Sequence, residues 1–252
     1  MIEKQYDKVD LKIFDTRAEM GRVAAEEAAS CLRELLEKEP EINCIFAAAP
    51  SQSEFLEELC KQPGIDWTRV NGYHMDEYVG LSLGHEKSFN HFLSESIFNK
   101  VPFKSANLID GSRPVEEETA RYGQLLRNAP THVTFMGIGE NGHIAFNDPP
   151  VADFEDKEVI KKVKLDLVCR QQQVHDKCFD TLDEVPEYAL TVTVPRLMAS
   201  QYIFCIVPSD KKHDATVAAL TGPVSTACPA SILRRTDNVR MYIDKACAGN
   251  LA

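Results

Sequence analysis

Two hydrophobic rhythms alternate along this 252-residue chain. After Thr16-Arg17-Ala18-Glu19, which has the form of a capping box, an alanine- and leucine-rich stretch runs until Pro40 and predicts one long helix. Residues 43–48 are a short apolar run followed by Pro50, Ser51 and Ser53 and then by the helical spacing of Phe55, Leu56 and Leu59, which reads as strand, turn, helix. The order then repeats. Residues 133–139 form an apolar strand that enters a glycine turn, and residues 202–207 form another that ends at Pro208-Ser209 before a helix over about 211–220. Further helices are expected over 87–98 and 115–127, and a last strand over 239–243. Apolar strands separated by helices of this length imply an α/β fold, an open and mainly parallel sheet with helices on both faces. No repeat, low-complexity tract or Gly/Ser-rich linker interrupts the pattern, so residues 1–252 are expected to form a single domain.

Composition narrows the function. With 28 basic against 39 acidic residues and a formal net charge of −11, the chain as a whole repels nucleic acid and anionic lipid, so a phosphorylated ligand needs a local positive site. No apolar run approaches the roughly 18 residues of a membrane span, and the first residues lack the apolar block of a secretion signal, which predicts a cytoplasmic protein. The eight cysteines include no C-x-x-C pair and several sit in apolar surroundings, as reduced, buried thiols do. Neither a metal site nor a disulfide framework is expected from their spacing.

Ligands of parallel sheets collect beyond the carboxyl ends of the strands, which directs attention to three turns. The segment 71–80 contains His74, Asp76 and the adjacent Glu77 in a fairly apolar setting, and a carboxylate so placed can act as a base toward a carbon acid, or simply cap a turn or pair with a lysine. The segment 137–150 joins Gly137, Gly139 and Gly142 to His143, with Asp148 close enough in sequence to orient the imidazole. Its G-x-G-x-x-G spacing suggests a dinucleotide-binding turn, but Asn147-Asp148-Pro149-Pro150 forbids the long helix that such a turn opens. In the third turn, Lys211 and Lys212 stand at an expected helix N-terminus, where amides and ammonium groups together suit an anion. A base, a histidine and an anion site on successive strand ends suit isomerisation of a small phosphorylated sugar.

These segments also carry a resemblance. The strings HMDEYVGL, GIGENGHIAFNDPP, VPEYALTVTVP and GPVSTACPASIL occur in order and closely resemble those of glucosamine-6-phosphate deaminases, also called isomerases. Related 6-phosphogluconolactonases read more like GHTASLFP where this chain reads GHIAFNDP. The resemblance implies a Rossmann-like α/β domain that converts an amino-sugar 6-phosphate to the ketose 6-phosphate and ammonia without metal or organic cofactor. It implies that Asp76 is the base that shuttles a proton between C2 and C1 through an enediol, that His143 with Asp148 assists ring opening, and that Lys212 binds phosphate. Gly139 and Gly142 of the glycine turn, and Glu77 beside the base, join the substrate-binding set on the same ground.

Several positions depart from the family pattern. Asn141 stands where aspartate is frequent, which removes a negative charge beside the imidazole. The phosphate loop, usually rich in glycine and threonine, here reads Ala47-Ala48-Ala49-Pro50-Ser51-Gln52-Ser53, leaving Ser51 and Ser53 as its hydroxyls. The second phosphate cation, an arginine in the family, matches Lys177, with Arg170 as the alternative, and the amide-rich Arg170-Gln171-Gln172-Gln173 suits either sugar contacts or a solvated loop. The segment after Pro150 lacks the pattern expected for activation by N-acetylglucosamine 6-phosphate. The expected partner is a small sugar phosphate, with glucosamine 6-phosphate first and galactosamine 6-phosphate, lactone hydrolysis or a non-catalytic sugar-phosphate sensor as alternatives. No nucleic-acid or membrane partner is expected, and the chain is a possible homo-oligomer.

Overall fold

The computed structural model describes residues 1–251. The chain runs from β1 (Ile2–Tyr6) and β2 (Val9–Phe14) through α1 (Arg17–Lys38), β3 (Ile42–Phe46), α2 (Ser53–Lys61), β4 (Val70–His74) and the short β5 (Asp76–Tyr78). Next come α3 (Phe89–Leu93), β6 (Ser105–Asn107), α4 (Val115–Asn128), β7 (Val133–Met136), β8 (Ile160–Lys164), α5 (Leu167–His175) and β9 (Tyr188–Val192). The path ends with α6 (Val194–Met198), β10 (Tyr202–Val207), α7 (His213–Thr221), β11 (Val239–Asp244) and α8 (Lys245–Ala248).

The main sheet has eight strands in the order β1-β2-β11-β10-β7-β3-β4-β6, parallel everywhere except between β1 and β2. This is the open, mainly parallel Rossmann-like arrangement that the alternating pattern implies. The central strands β3, β7 and β10 are almost wholly buried because helices cover both faces. Cys44 and Phe46 of β3 share a core with Phe204 and Ile206 of β10 and with α1 and α2, while Ile45, Ile203, Cys205 and Val207 pack with Tyr122 of α4 and Ala215 and Ala219 of α7. Adjacent residues thus supply opposite layers, as the twofold repeat of a strand requires. Thr16 caps α1 by accepting Glu19 N–H at 3.1 Å.

The structure departs from the sequence reading in four places. β1 and β2 form a hairpin at the sheet edge, where the alternation Val9, Leu11, Ile13 buries one face. A second, antiparallel sheet, β5-β9-β8, lies beside the main one. The helix expected over 87–98 is α3 followed by a π turn over Ser94–Phe98, and Arg170 to Gln173 lie in α5 rather than in a loop. All eight cysteines are free thiols, and burial pushes Cys31 up to about 11. Among the described residues no helix is long and apolar enough to cross a membrane.

Candidate active site

In the sheet order β10, β7, β3 and β4 are neighbours, so their carboxyl ends deliver four turns to one edge of the molecule. Between them lies a cleft lined by Ser51, Asp76, Gly139, His143, Gln173 and Lys212, among others. Residues separated by more than 130 positions therefore meet at one opening.

His143 is held by a closed network. Its Nδ1 lies 2.8 Å from Asn141 Oδ1 and 3.0 Å from Asp148 Oδ1, and its backbone N–H also donates to Asn141 Oδ1 at 3.0 Å. Asn141 Nδ2 in turn donates to Asp148 Oδ1 at 3.0 Å and to Asp166 Oδ2 at 3.3 Å, which fixes the amide's orientation. Both groups facing Nδ1 are acceptors, so Nδ1 carries hydrogen in either protonation state and Nε2 is the nitrogen left to exchange a proton. Burial pushes Asp148 upward, but the bond and charge of His143, Asn141 and the Asp166 N–H outweigh it, so Asp148 titrates below the usual carboxylate value. Gly139 makes this packing possible, because a Cβ there would lie 2.1 Å from His143 Cε1. Gly142 adopts φ +82°, in the left-handed region that favours glycine, and turns the chain toward His143 without lining the cleft.

Asp76 begins β5 and is 6% exposed. Burial, followed by the charges of Glu77 and Asp148, holds its carboxyl well above the usual range. That environment makes a stronger base than a solvated aspartate. Glu77 does something else. Its carboxylate accepts Tyr78 N–H and Phe89 N–H on one oxygen at 2.9 and 3.1 Å, and Asn90 N–H and Asn90 Nδ2 on the other, both at 2.8 Å. Glu77 is wholly buried and does not line the cleft, and its bonds anchor the start of α3 to β5, so the structure does not bring it to the cleft with Asp76. Thr191 of β9 pairs with Asp76, and its Oγ1 accepts Phe146 N–H at 3.1 Å. The strand bearing Asp76 and the loop bearing His143 are thereby joined.

Lys212 is 5% exposed, lines the cleft, and its Nζ finds no partner among the described residues. Burial lowers its pKa, with Asp176 and Glu140 opposing. The turn that carries it is pinned because Ser209 N–H donates to Asp244 Oδ1 at 3.1 Å and Lys212 N–H to the Ser209 carbonyl at 3.1 Å. An unpaired ammonium in a cleft is a site for an anion. Ser51 lines the same cleft, whereas Ser53 begins α2 and is exposed away from it.

Neither expected second cation reaches the cleft lining. Arg170 donates to the carbonyls of Leu182 and Val185 at 2.7 and 2.9 Å, tying α5 to the following turn. Lys177 is exposed, with φ 60°, and lines an adjoining depression with Lys87 and Cys178. Gln52 and Cys169 went unread in the sequence, whereas Gln173 lies in the amide-rich run for which sugar contacts were one reading. Gln52 lines the cleft almost wholly buried, Gln173 is oriented by accepting Tyr78 O–H at 2.8 Å, and Cys169 brings its Sγ within 4.8 Å of the facing His143 and Asp148 atoms. Only the helical period of α5 could have shown Cys169 and Gln173 to share a face.

Comparison with known proteins agrees with this geometry. The family model for glucosamine-6-phosphate isomerases and 6-phosphogluconolactonases matches residues 15–242. A glucosamine-6-phosphate deaminase of Streptococcus pyogenes serotype M1 is 32% identical over 207 residues, 82% of this chain and 86% of that protein. A glucosamine-6-phosphate deaminase of Streptococcus suis is 33% identical over the same length. The solved structure of a monomeric glucosamine-6-phosphate deaminase superposes with a TM-score of 0.85 at 25% identity, covering 94% of this chain and 98% of that one. A 6-phosphogluconolactonase from Trypanosoma brucei shares the fold, with a TM-score of 0.81 at 14% identity over 98% of this chain and all of the other. With the family model matched over residues 15–242 and deaminase relatives at 32% identity over 82% of the chain, the chain belongs to the glucosamine-6-phosphate isomerase/6-phosphogluconolactonase family.

Proposed function

We propose that this protein is a deaminating aldose–ketose isomerase that converts glucosamine 6-phosphate and water to fructose 6-phosphate and ammonia. The observation that carries the reading is that a buried carboxylate, Asp76, an oriented imidazole, His143, and an unpaired ammonium, Lys212, line one cleft. All three come from the same chain.

Lys212 takes the phosphate, with Ser51 as a neighbouring hydroxyl. His143 Nε2–H gives its proton to the ring oxygen as the C1–O5 bond breaks and the O1 hydroxyl loses its proton to water, leaving the aldehyde, while Asp148 and Asn141 hold the imidazole. Asp76 then removes the proton from C2 of the open-chain aldehyde, the electron pair moves toward the C1 oxygen, which takes a proton from water, and an enolamine forms. Return of the proton to C1 leaves an imine at C2. Water adds there and the C–N bond breaks, releasing ammonia and the ketose. A carboxylate raised above its ordinary value serves this shuttle, since the ideal base titrates near the working pH. Lactone hydrolysis removes no proton from C2 and leaves Asp76 without a task. The match to deaminases at 32% identity over 82% of the chain supports the same choice.

The test is to supply glucosamine 6-phosphate, galactosamine 6-phosphate and 6-phosphogluconolactone to the purified protein and to measure ammonia, ketose phosphate and acid release. Ammonia and fructose 6-phosphate from the first, lost in Asp76→Asn, are expected. Lactone hydrolysis that survives Asp76→Asn, without ammonia from either amino sugar, sinks the proposal.

A further inference from the structure

Gln52 ends the short turn Pro50–Gln52 after β3. Its Nε2 lies 3.1 Å from the Ile206 carbonyl at the end of β10 and 3.1 Å from Ser51 Oγ. A carbonyl can only accept, so the amide must turn Nε2 toward Ile206, and Oε1 must face the other way. Gly137 leaves the room: a Cβ there would meet Gln52 Nε2 at 3.1 Å and the Ile206 oxygen at 3.2 Å. Gln52 lines the cleft at 1% exposure, and Oε1 is buried without a donor among the described residues. Native structures seldom leave a buried acceptor unpaired without a reason.

Lys212 Nζ is another buried atom of the cleft without a partner among the described residues. A phosphate monoester satisfies it, but near neutral pH the phosphate is mostly a dianion with no proton to give, because its second pKa is about 6. Phosphate therefore repels Oε1 instead of pairing with it. The donor that Gln52 lacks has to come from the carbon skeleton.

We infer that Gln52 is a substrate-reading residue whose Oε1 accepts a hydrogen bond from a hydroxyl of the sugar anchored by Lys212. The inference rests on reading the cleft as a hexose 6-phosphate site and assigns within it a contact that distinguishes the sugar from its phosphate. Lys212 holds any phosphate monoester. Gln52 favours one with a hydroxyl at the right carbon.

The experiment measures binding to the full chain by calorimetry, with inorganic phosphate, fructose 6-phosphate and its 3-, 4- and 5-deoxy forms as probes. In Gln52→Met, inorganic phosphate is expected to bind within about twofold of the original, while fructose 6-phosphate weakens about tenfold, the loss expected for one unmade hydrogen bond. One deoxy form should bind the unaltered protein about tenfold more weakly than fructose 6-phosphate, and that difference should vanish in the variant. Equal weakening of phosphate and sugar shows that Gln52 only holds the loop, and an unchanged sugar affinity shows that Oε1 is unread; either overturns the inference. Gln52→Asn, which keeps an amide but withdraws it, is the second variant. If neither variant folds, a deoxy series in which no member loses affinity for the unaltered protein also overturns it. None of these measurements needs turnover, so a failure to release ammonia stays distinguishable from a failure of Gln52 to read the sugar.

Discussion

Asn141 donates through Nδ2 to Asp148 Oδ1 at 3.0 Å, while the same amide's oxygen accepts from His143. One neutral side chain thus shares Asp148 with the imidazole and links both to Asp166. Asn141→Asp replaces the donor with a third carboxylate, which stabilises the imidazolium and forces like charges together. The expected result is a pH–rate profile displaced upward by about one unit, with a loss of about 1–3 kcal/mol of stability near neutral pH. Profiles that coincide for the two proteins would mean that the amide has no electrostatic part in the reaction.

Asp76 is raised by burial and by the charges of Glu77 and Asp148. The native state therefore holds its proton more tightly than the unfolded chain does. Its contribution is favourable below the ordinary carboxylate pKa and is lost as pH rises through the raised value. Asp76→Asn should remove about two to four orders of magnitude of activity, yet melt higher than the unaltered protein at pH 8 by about 0.5–2 kcal/mol of added stability. At pH 4 the gain should shrink. Scanning calorimetry at the two pH values reads both signs, and a variant that is less stable at pH 8 contradicts the burial of an unpaired carboxylate.

Lys212 is lowered by burial, so between its native value and the ordinary lysine value the unfolded state binds more protons and stability rises with pH. At neutral pH the unpaired ammonium is a burden that an anion relieves. Inorganic phosphate should raise the melting temperature of the unaltered protein and leave Lys212→Met unmoved. KM for the sugar phosphate should rise about a hundredfold in the variant, the loss of a charge-assisted contact. Equal stabilisation of the two proteins by phosphate places the anion elsewhere.

Glu77 accepts four N–H groups from Tyr78, Phe89 and Asn90. Glu77→Gln turns one oxygen into a donor that faces donors, with an expected loss of about 2–4 kcal/mol. Denaturant titration measures it. Because Glu77 does not line the cleft, any surviving folded enzyme should keep its KM while kcat falls, as expected when Asp76 is less well held.

Much of this was legible in the residues. β3, β7, β10 and β11 announced themselves as apolar runs ending in turn residues, since a strand buried on both faces has no polar side to disguise it. The small sheet was missed although Tyr188–Val192 is rich in strand formers, because the three residues of β5 are too few to show a period, and its partners β9 and β8 come far later in the chain. Asp76, His143, Asp148 and Lys212 could be named from their turns and from the resemblance. Gln52 and Cys169 could not, since each owes its position to a partner elsewhere in the chain, Ile206 and Asp148, and the amide run at Gln173 could be read only as sugar contact or solvated loop until Tyr78 was seen to orient it. Arg170 misled for the opposite reason. A charge pattern shows that a cation is present, and only the fold shows that backbone carbonyls have already claimed it.

Thr191 sits opposite Asp76 in the small sheet, and its hydroxyl takes the Phe146 N–H from the histidine loop. Thr191 thus ties the strand that bears Asp76 to the loop that bears His143. On the proposed reaction a hexose uncoils from ring to chain between them, and the change of shape then falls on the sugar. The tether would make the cleft a gauge of fixed span, in which a substrate qualifies by the length it reaches once unrolled.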